Sequence, residues 1–237
     1  HALGHEASGI IIDKHKDIKK FKLKDKVIIT SIKTNNTDSE KIYYLNGKNK
    51  VNAGYANTFS NYAIVSKNRC IKKPKQLSMM SAALYGCAIP TGVGMVLNEK
   101  LKKNSNIVLT GFGGIGFFVY LALKSKGIKN IIIIEKNNHK LKIAKRMKLK
   151  NFYKDIDIKA IHTLFKTGAD YCFETTGSVR MIEKSFKILK DNGRLIFASH
   201  PKKGDKIRID PHELIKGKKI YGTWGGSINL EKDLIKL

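Results

Sequence analysis

An apolar strand run, NIVLT (Asn106–Thr110), passes straight into GFGGIG (Gly111–Gly116) and then into a helical pattern, IGFFVYLALKSKG. This junction constrains the fold more than any other feature of the chain. Gly111, Gly113 and Gly116 carry the GxGxxG spacing, which alone is a weak signal. Its surroundings make it strong, because the next strand run, NIIIIE, ends in Glu135, nineteen residues beyond Gly116. The glycines permit a tight turn and close backbone approach, and the helix start offers unpaired N–H groups and the positive end of its dipole to a pyrophosphate. Gly114 and Ile115 are the expected amide donors. The Glu135 carboxylate suits the two ribose hydroxyls of NAD and would repel a 2′-phosphate, although Lys136 and Lys140 stand close by.

The rest of the chain fits a two-part organisation. From Gly9 to Ser66, short apolar runs (GIIID, KVIITS, NYAIVS) are separated by the turn-forming clusters KTNNTDSE and YLNGKNK, which reads as antiparallel β structure. From Leu77 onward SMMSAAL and TGVGMVL read as short helices. Strand and helix patterns then alternate through HKLKIAKRMK, ADYCFE, VRMIEKSFKILK and GRLIFAS, which implies βαβ units on a parallel sheet. We therefore expect an α/β protein with a β-rich domain over residues 1–88 and a doubly wound nucleotide-binding domain over 89–221. Residues 222–237 begin a return to the first domain.

Composition excludes several alternatives. Lys and Arg total 46 against 19 Asp and Glu, a formal net charge of +27, but the lysines are spread over the whole chain and arginine is confined to positions 69, 146, 180, 194 and 208. A surface that reads phosphates favours the forked guanidinium, so neither nucleic acid nor a membrane is expected as a partner. The cysteines, Cys70, Cys87 and Cys172, are odd in number and widely spaced, which argues against a disulfide framework and for the cytoplasm. No apolar run approaches membrane-spanning length.

Two further stretches bear on chemistry. GHEASG sets His5 beside Glu6 between glycines, and LYGCAIPTGVG sets Cys87 where the β-rich part meets the nucleotide domain. Imidazole and thiolate are zinc donors. GHEASG, GCAIPTGVG and TGFGGIG with Glu135, in this order and at these distances, resemble the zinc-dependent medium-chain alcohol dehydrogenases, and GKKIYGTWGG is similar to the segment where that family's chain returns to its catalytic domain. The resemblance implies a GroES-like β domain joined to a Rossmann domain, with a catalytic zinc in the cleft between them. It implies zinc ligation by His5 and Cys87, with Glu6 beside the metal as a supporting or transient ligand, and Thr91 packed against the nicotinamide ring. It also implies Lys140 near the adenine ribose, Thr176 and Ser199 in loops lining the cofactor, and a homodimer or homotetramer. The implied activity is hydride transfer between an alcohol or aldehyde and NAD.

The departures from that pattern also carry information. The family's first zinc ligand, a cysteine followed two residues later by Ser or Thr, lies well upstream of the histidine-glutamate pair, so the chain is expected to be truncated at both ends and to offer too few donors for a stable zinc site. The stretch from Ser31 to Asn61, where many members carry a four-cysteine structural zinc lobe, contains no cysteine, so no structural zinc is expected. Two rival readings are a zinc-free reductase of quinones or activated alkenes on the same scaffold, and a basic nucleic-acid-binding protein with a relic Rossmann domain. His200, at the end of the GRLIFAS run, is read as a loop residue, and Trp224 as part of a chain turn.

Overall fold

The computed structural model describes residues 1–34, 40–234 and 237. It divides into two units, one formed by His1–Pro90 with Ile228–Leu237 and the other by Thr91–Ser227. The division expected after residue 88 lies after Pro90, and the return expected from residue 222 starts at Ile228.

In the first unit, strands β1 (Ala7–Ile10), β2 (Lys26–Ile29) and β5 (Cys70–Lys72) form an antiparallel sheet in the order β1-β2-β5. Phe21, Val27 and Cys70 bury together beneath Ile11 and Ile18. Strands β3 (Ile42–Asn46) and β4 (Asn49–Gly54) form a separate hairpin. Its two-residue turn is Gly47-Lys48 with Gly47 at φ 59°, so the glycine inside the polar cluster YLNGKNK supplies the left-handed first position of the turn. The cluster KTNNTDSE lies largely outside the described residues. The strand expected over NYAIVS is absent: Tyr62 and Ile64 are exposed, and the Ile64 amide donates to the Tyr44 hydroxyl instead of to a neighbouring strand. Helix α1 (Met79–Leu84), capped by the Ser78 hydroxyl at the Ser81 amide, follows β5.

Helix α2 (Ala88–Leu97) carries Pro90 in its first turn, where a missing N–H costs nothing. The second unit then alternates β6 (Ile107–Thr110), α3 (Gly114–Ser125), β7 (Ile131–Ile134), α4 (Asn138–Arg146), β8 (Phe152–Tyr153), α5 (Ile158–Leu164), β9 (Ala169–Glu174), α6 (Val179–Lys187), β10 (Leu189–Phe197), α7 (Pro211–Ile215) and β11 (Lys219–Gly222). Its six strands are all parallel, in the order β11-β10-β9-β6-β7-β8. The chain winds outward from β6 to β8, returns to the centre at β9 and winds the other way, so β6 and β9 flank the point where direction reverses. Ligands of doubly wound sheets sit at the carboxyl ends of such strands.

Period-two alternation splits the core into two layers. Ile107, Leu109, Ile131 and Ile133 bury against Val119 and Leu123 of α3 and Ala144 of α4. Val108, Ile132, Ile134 and Cys172 bury against Ile161 of α5 and Ile182 and Phe186 of α6. The run IIII is apolar throughout because both of its faces are covered. Among the described residues no helix is long and apolar enough to cross a membrane.

Candidate active site

The glycine turn lies at the carboxyl end of β6. Gly111 takes φ 87°, a left-handed conformation, and its amide donates to the Ile134 carbonyl at 2.8 Å. A side-chain carbon on Gly116 would collide with the Gly111 carbonyl oxygen, which is why α3 can approach the strand only with glycine there. By contrast, a carbon on Gly114 meets nothing within 4 Å, and one on Gly113 meets only the Lys140 ammonium, at 3.5 Å. No side chain caps the first turn of α3. These open glycines and uncapped amides at Gly114 and Ile115 form a cradle that fits a dinucleotide pyrophosphate.

Glu135 is drawn into this turn. Buried to 7% exposure, its carboxylate accepts the Phe112 amide at 2.9 Å and the Asn137 amide at 2.8 Å, with Lys140 Nζ at 3.5 Å. Burial pushes its carboxyl up, but these two amides and the Lys140 ammonium outweigh that and hold it below its ordinary value. Asn137 in turn caps α4 at the amides of His139 and Lys140. The acid expected to bind the ribose therefore also joins the glycine turn to the next helix.

Thr91 is buried at 4% exposure, one position before Gly92, where a side-chain carbon would lie 2.6 Å from the Ile115 carbonyl oxygen. Close packing of α2 on the first turn of α3 thus brings Thr91 to the edge of the cradle. Thr176 and Ser199 follow the carboxyl ends of β9 and β10, and both donate to Glu174, whose carboxylate is wholly buried. Thr175 donates to the carbonyls of Thr110 and Gly111 at 3.0 and 3.1 Å, bracing the glycine turn from the adjacent strand. Glu174 and Thr175 were not among the expected site residues. The available signal was a buried-strand run, ADYCFE, ending in an acid at the ligand end of a parallel sheet.

In the first unit, the Glu6 carboxylate accepts the Ala88 amide at 3.1 Å across 82 positions. A carbon on Gly86 would lie 2.7 Å from Glu6 Cβ. The segments carrying His5–Glu6 and Cys87 therefore abut, with His5 exposed and Cys87 half-buried. Imidazole and thiolate suit zinc in kind. In number they fall short: among the described residues no three His, Cys, Asp or Glu side chains group so as to hold a metal ion. Elsewhere, cavities of about 400 Å³ beside Lys20 and Lys67 and about 510 Å³ beside Leu141 and Tyr153 include none of these residues.

A small antiparallel β unit followed by a doubly wound nucleotide unit, with a glycine turn and an acid at the end of the next strand, defines a two-unit nucleotide-binding dehydrogenase fold. A family profile described as zinc-binding dehydrogenase matches residues 114–237, and one described as alcohol dehydrogenase GroES-like domain matches residues 1–75. The chain belongs to the zinc-type medium-chain alcohol dehydrogenase family, a family of oxidoreductases. Alcohol dehydrogenase-like 2 of Arabidopsis thaliana is 26% identical over 189 residues, covering 76% of this chain and 49% of its own. Alcohol dehydrogenase 6 of Peromyscus maniculatus is 24% identical over 268 residues, covering 99% of this chain and 71% of its own. The crystal structure of benzyl alcohol dehydrogenase from Acinetobacter calcoaceticus superposes with a TM-score of 0.84 at 24% identity, over 100% of this chain and 73% of that chain, a likeness of fold. The chain spans about half of the first of these relatives and about seven tenths of the second.

Proposed function

We propose that the protein is an NAD-dependent oxidoreductase that moves a hydride between an alcohol or aldehyde and NAD, with zinc as its metal. The observation that carries this reading is Glu135, a buried acid at the end of β7 bonded to the glycine turn at Phe112. That geometry suits an adenosine ribose without a 2′-phosphate. In this reading Gly114 and Ile115 bind the pyrophosphate, Lys140 steadies the ribose edge, Thr176 and Ser199 line the cofactor, and Thr91 orients the nicotinamide ring. NAD, when bound, supplies the hydride acceptor.

His5 and Cys87 are two of the zinc ligands in this proposal. Glu6, held on the Ala88 amide, fixes the backbone next to Cys87 and places a negative charge beside the metal. Zinc, when bound, supplies Lewis acidity toward the alcohol oxygen. The names of the relatives favour an alcohol as substrate over a quinone or activated alkene.

The test has two arms. Titration with NADH, followed through the single tryptophan, Trp224, reports cofactor binding, and turnover of primary, aromatic and polyol alcohols with NAD and with NADP reports the reaction. Zinc content is measured on the same preparation. NADH binding is expected, with alcohol-dependent NAD reduction on addition of zinc; a protein that reduces quinones with NADPH and ignores every alcohol would overturn the proposal.

A further inference from the structure

Glu174 ends β9 between Thr110 of β6 and Phe197 of β10, at the ligand end of the sheet, and it is 0% exposed. Its carboxylate accepts the Thr176 amide at 2.6 Å, the Thr176 hydroxyl, and the Ser199 hydroxyl at 2.5 Å. Its partners among the described residues are thus one amide and two hydroxyls, with no cation. A carboxylate hidden so completely is costly in an apolar interior unless its environment is built for it. Nothing in the strand itself calls for a charge at this position, since its neighbours Cys172 and Phe173 bury as apolar residues.

What the carboxylate does is join two loops. One oxygen holds Thr176, two residues beyond it on the loop after β9, and the other holds Ser199, on the loop after β10. The intervening Thr175 is fastened the other way, to the carbonyls of Thr110 and Gly111. The three consecutive residues Glu174, Thr175 and Thr176 therefore couple the β10 loop to the glycine turn.

We propose that Glu174 is a positioning residue for the dinucleotide: by clamping Thr176 and Ser199 it sets the width of the crevice between the glycine turn and the β10 loop. The inference rests on the dinucleotide reading above and deepens it. Glu174 does not touch the cofactor; it acts through two residues that do. A carboxylate suits the task because it accepts from two directions at once and cannot turn a donor toward either hydroxyl.

The test is NADH affinity, followed through Trp224, for the wild-type protein and for Glu174→Gln, Ser199→Ala and the double variant, with a thermal melt of each. Glu174→Gln is expected to raise the NADH Kd about tenfold, the effect of losing a charge-assisted hydrogen bond, and to raise KM for NAD with kcat nearly unchanged. The double variant is expected to bind no more weakly than Glu174→Gln alone, because both changes break one clamp. If Glu174→Gln does not fold, Ser199→Ala and Thr176→Val carry the same comparison through the two limbs. NADH affinity within twofold of wild type in a folded Glu174→Gln protein, or strictly additive effects in the double variant, would overturn the clamp. A folded wild type that binds no NADH would instead overturn the dinucleotide reading, and the clamp with it.

Discussion

The two candidate sites, one in each unit, are built differently. In the second unit the cradle is complete, with an open glycine turn, an uncapped helix start and a buried acid wired to the turn through Phe112. In the first unit the segments that carry His5, Glu6 and Cys87 meet, held by a bond across 82 positions, yet the described residues assemble no set of three metal donors. The difference teaches where each function draws its residues. A phosphate cradle is made by one strand, one turn and one helix, whereas the candidate metal donors here lie on segments joined across 82 positions.

The contrast predicts that the halves fail separately. His5→Ala or Cys87→Ser should lower kcat/KM for alcohol about a thousandfold, the scale of a lost metal contribution, while NADH affinity stays unchanged. Steady-state kinetics beside a fluorescence titration checks this, and a parallel loss of NADH affinity would break the contrast. Gly116→Ala is the counterpart in the second unit. Its methyl group meets the Gly111 carbonyl oxygen, so unfolding by urea should show a loss of about 3 kcal/mol and NADH binding should go with it.

A smaller effect sharpens the role of Glu135. Glu135→Gln leaves one of the two amides facing an NH2 group in place of an acceptor oxygen and should cost about 2 kcal/mol. It should also narrow the preference for NAD over NADP, read from the ratio of the two kcat/KM values. The Glu135 carboxyl titrates lower in the folded protein than in the unfolded chain. Its contribution is therefore present above its ordinary value of 4.5 and fades as pH falls below it, and the variant should lose that part of the acid dependence.

The smallest effect belongs to an ion-pair cluster at the surface of the second unit. Lys184, against the opposing cost of burial, and Arg180 hold the Asp155 carboxyl down to about 2 from 3.8. Because the pair is 44% exposed on the Asp155 side, Asp155→Asn should cost less than about 1 kcal/mol. Its contribution is present above pH 3.8 and lost as the pH falls toward 2, so acid unfolding curves of wild type and variant should converge at the low end.

The amino-acid sequence by itself determined the nucleotide-binding turn of the second unit and the elements on either side of it. Strand, turn, helix and acid lie between Asn106 and Lys140, and each is specified by local chemistry: apolar runs buried on both faces, glycines where a Cβ would collide, and an acid at a strand end. The first unit was less legible, because NYAIVS is a short apolar run that forms no strand, and YLNGKNK has the polarity of a loop while forming a hairpin. Only the tertiary structure decided that Glu6 meets the Ala88 amide and that Glu174 clamps two loops. Those contacts join residues far apart in the chain, and their existence depends on how the sheets and helices pack, which no local pattern of residues encodes.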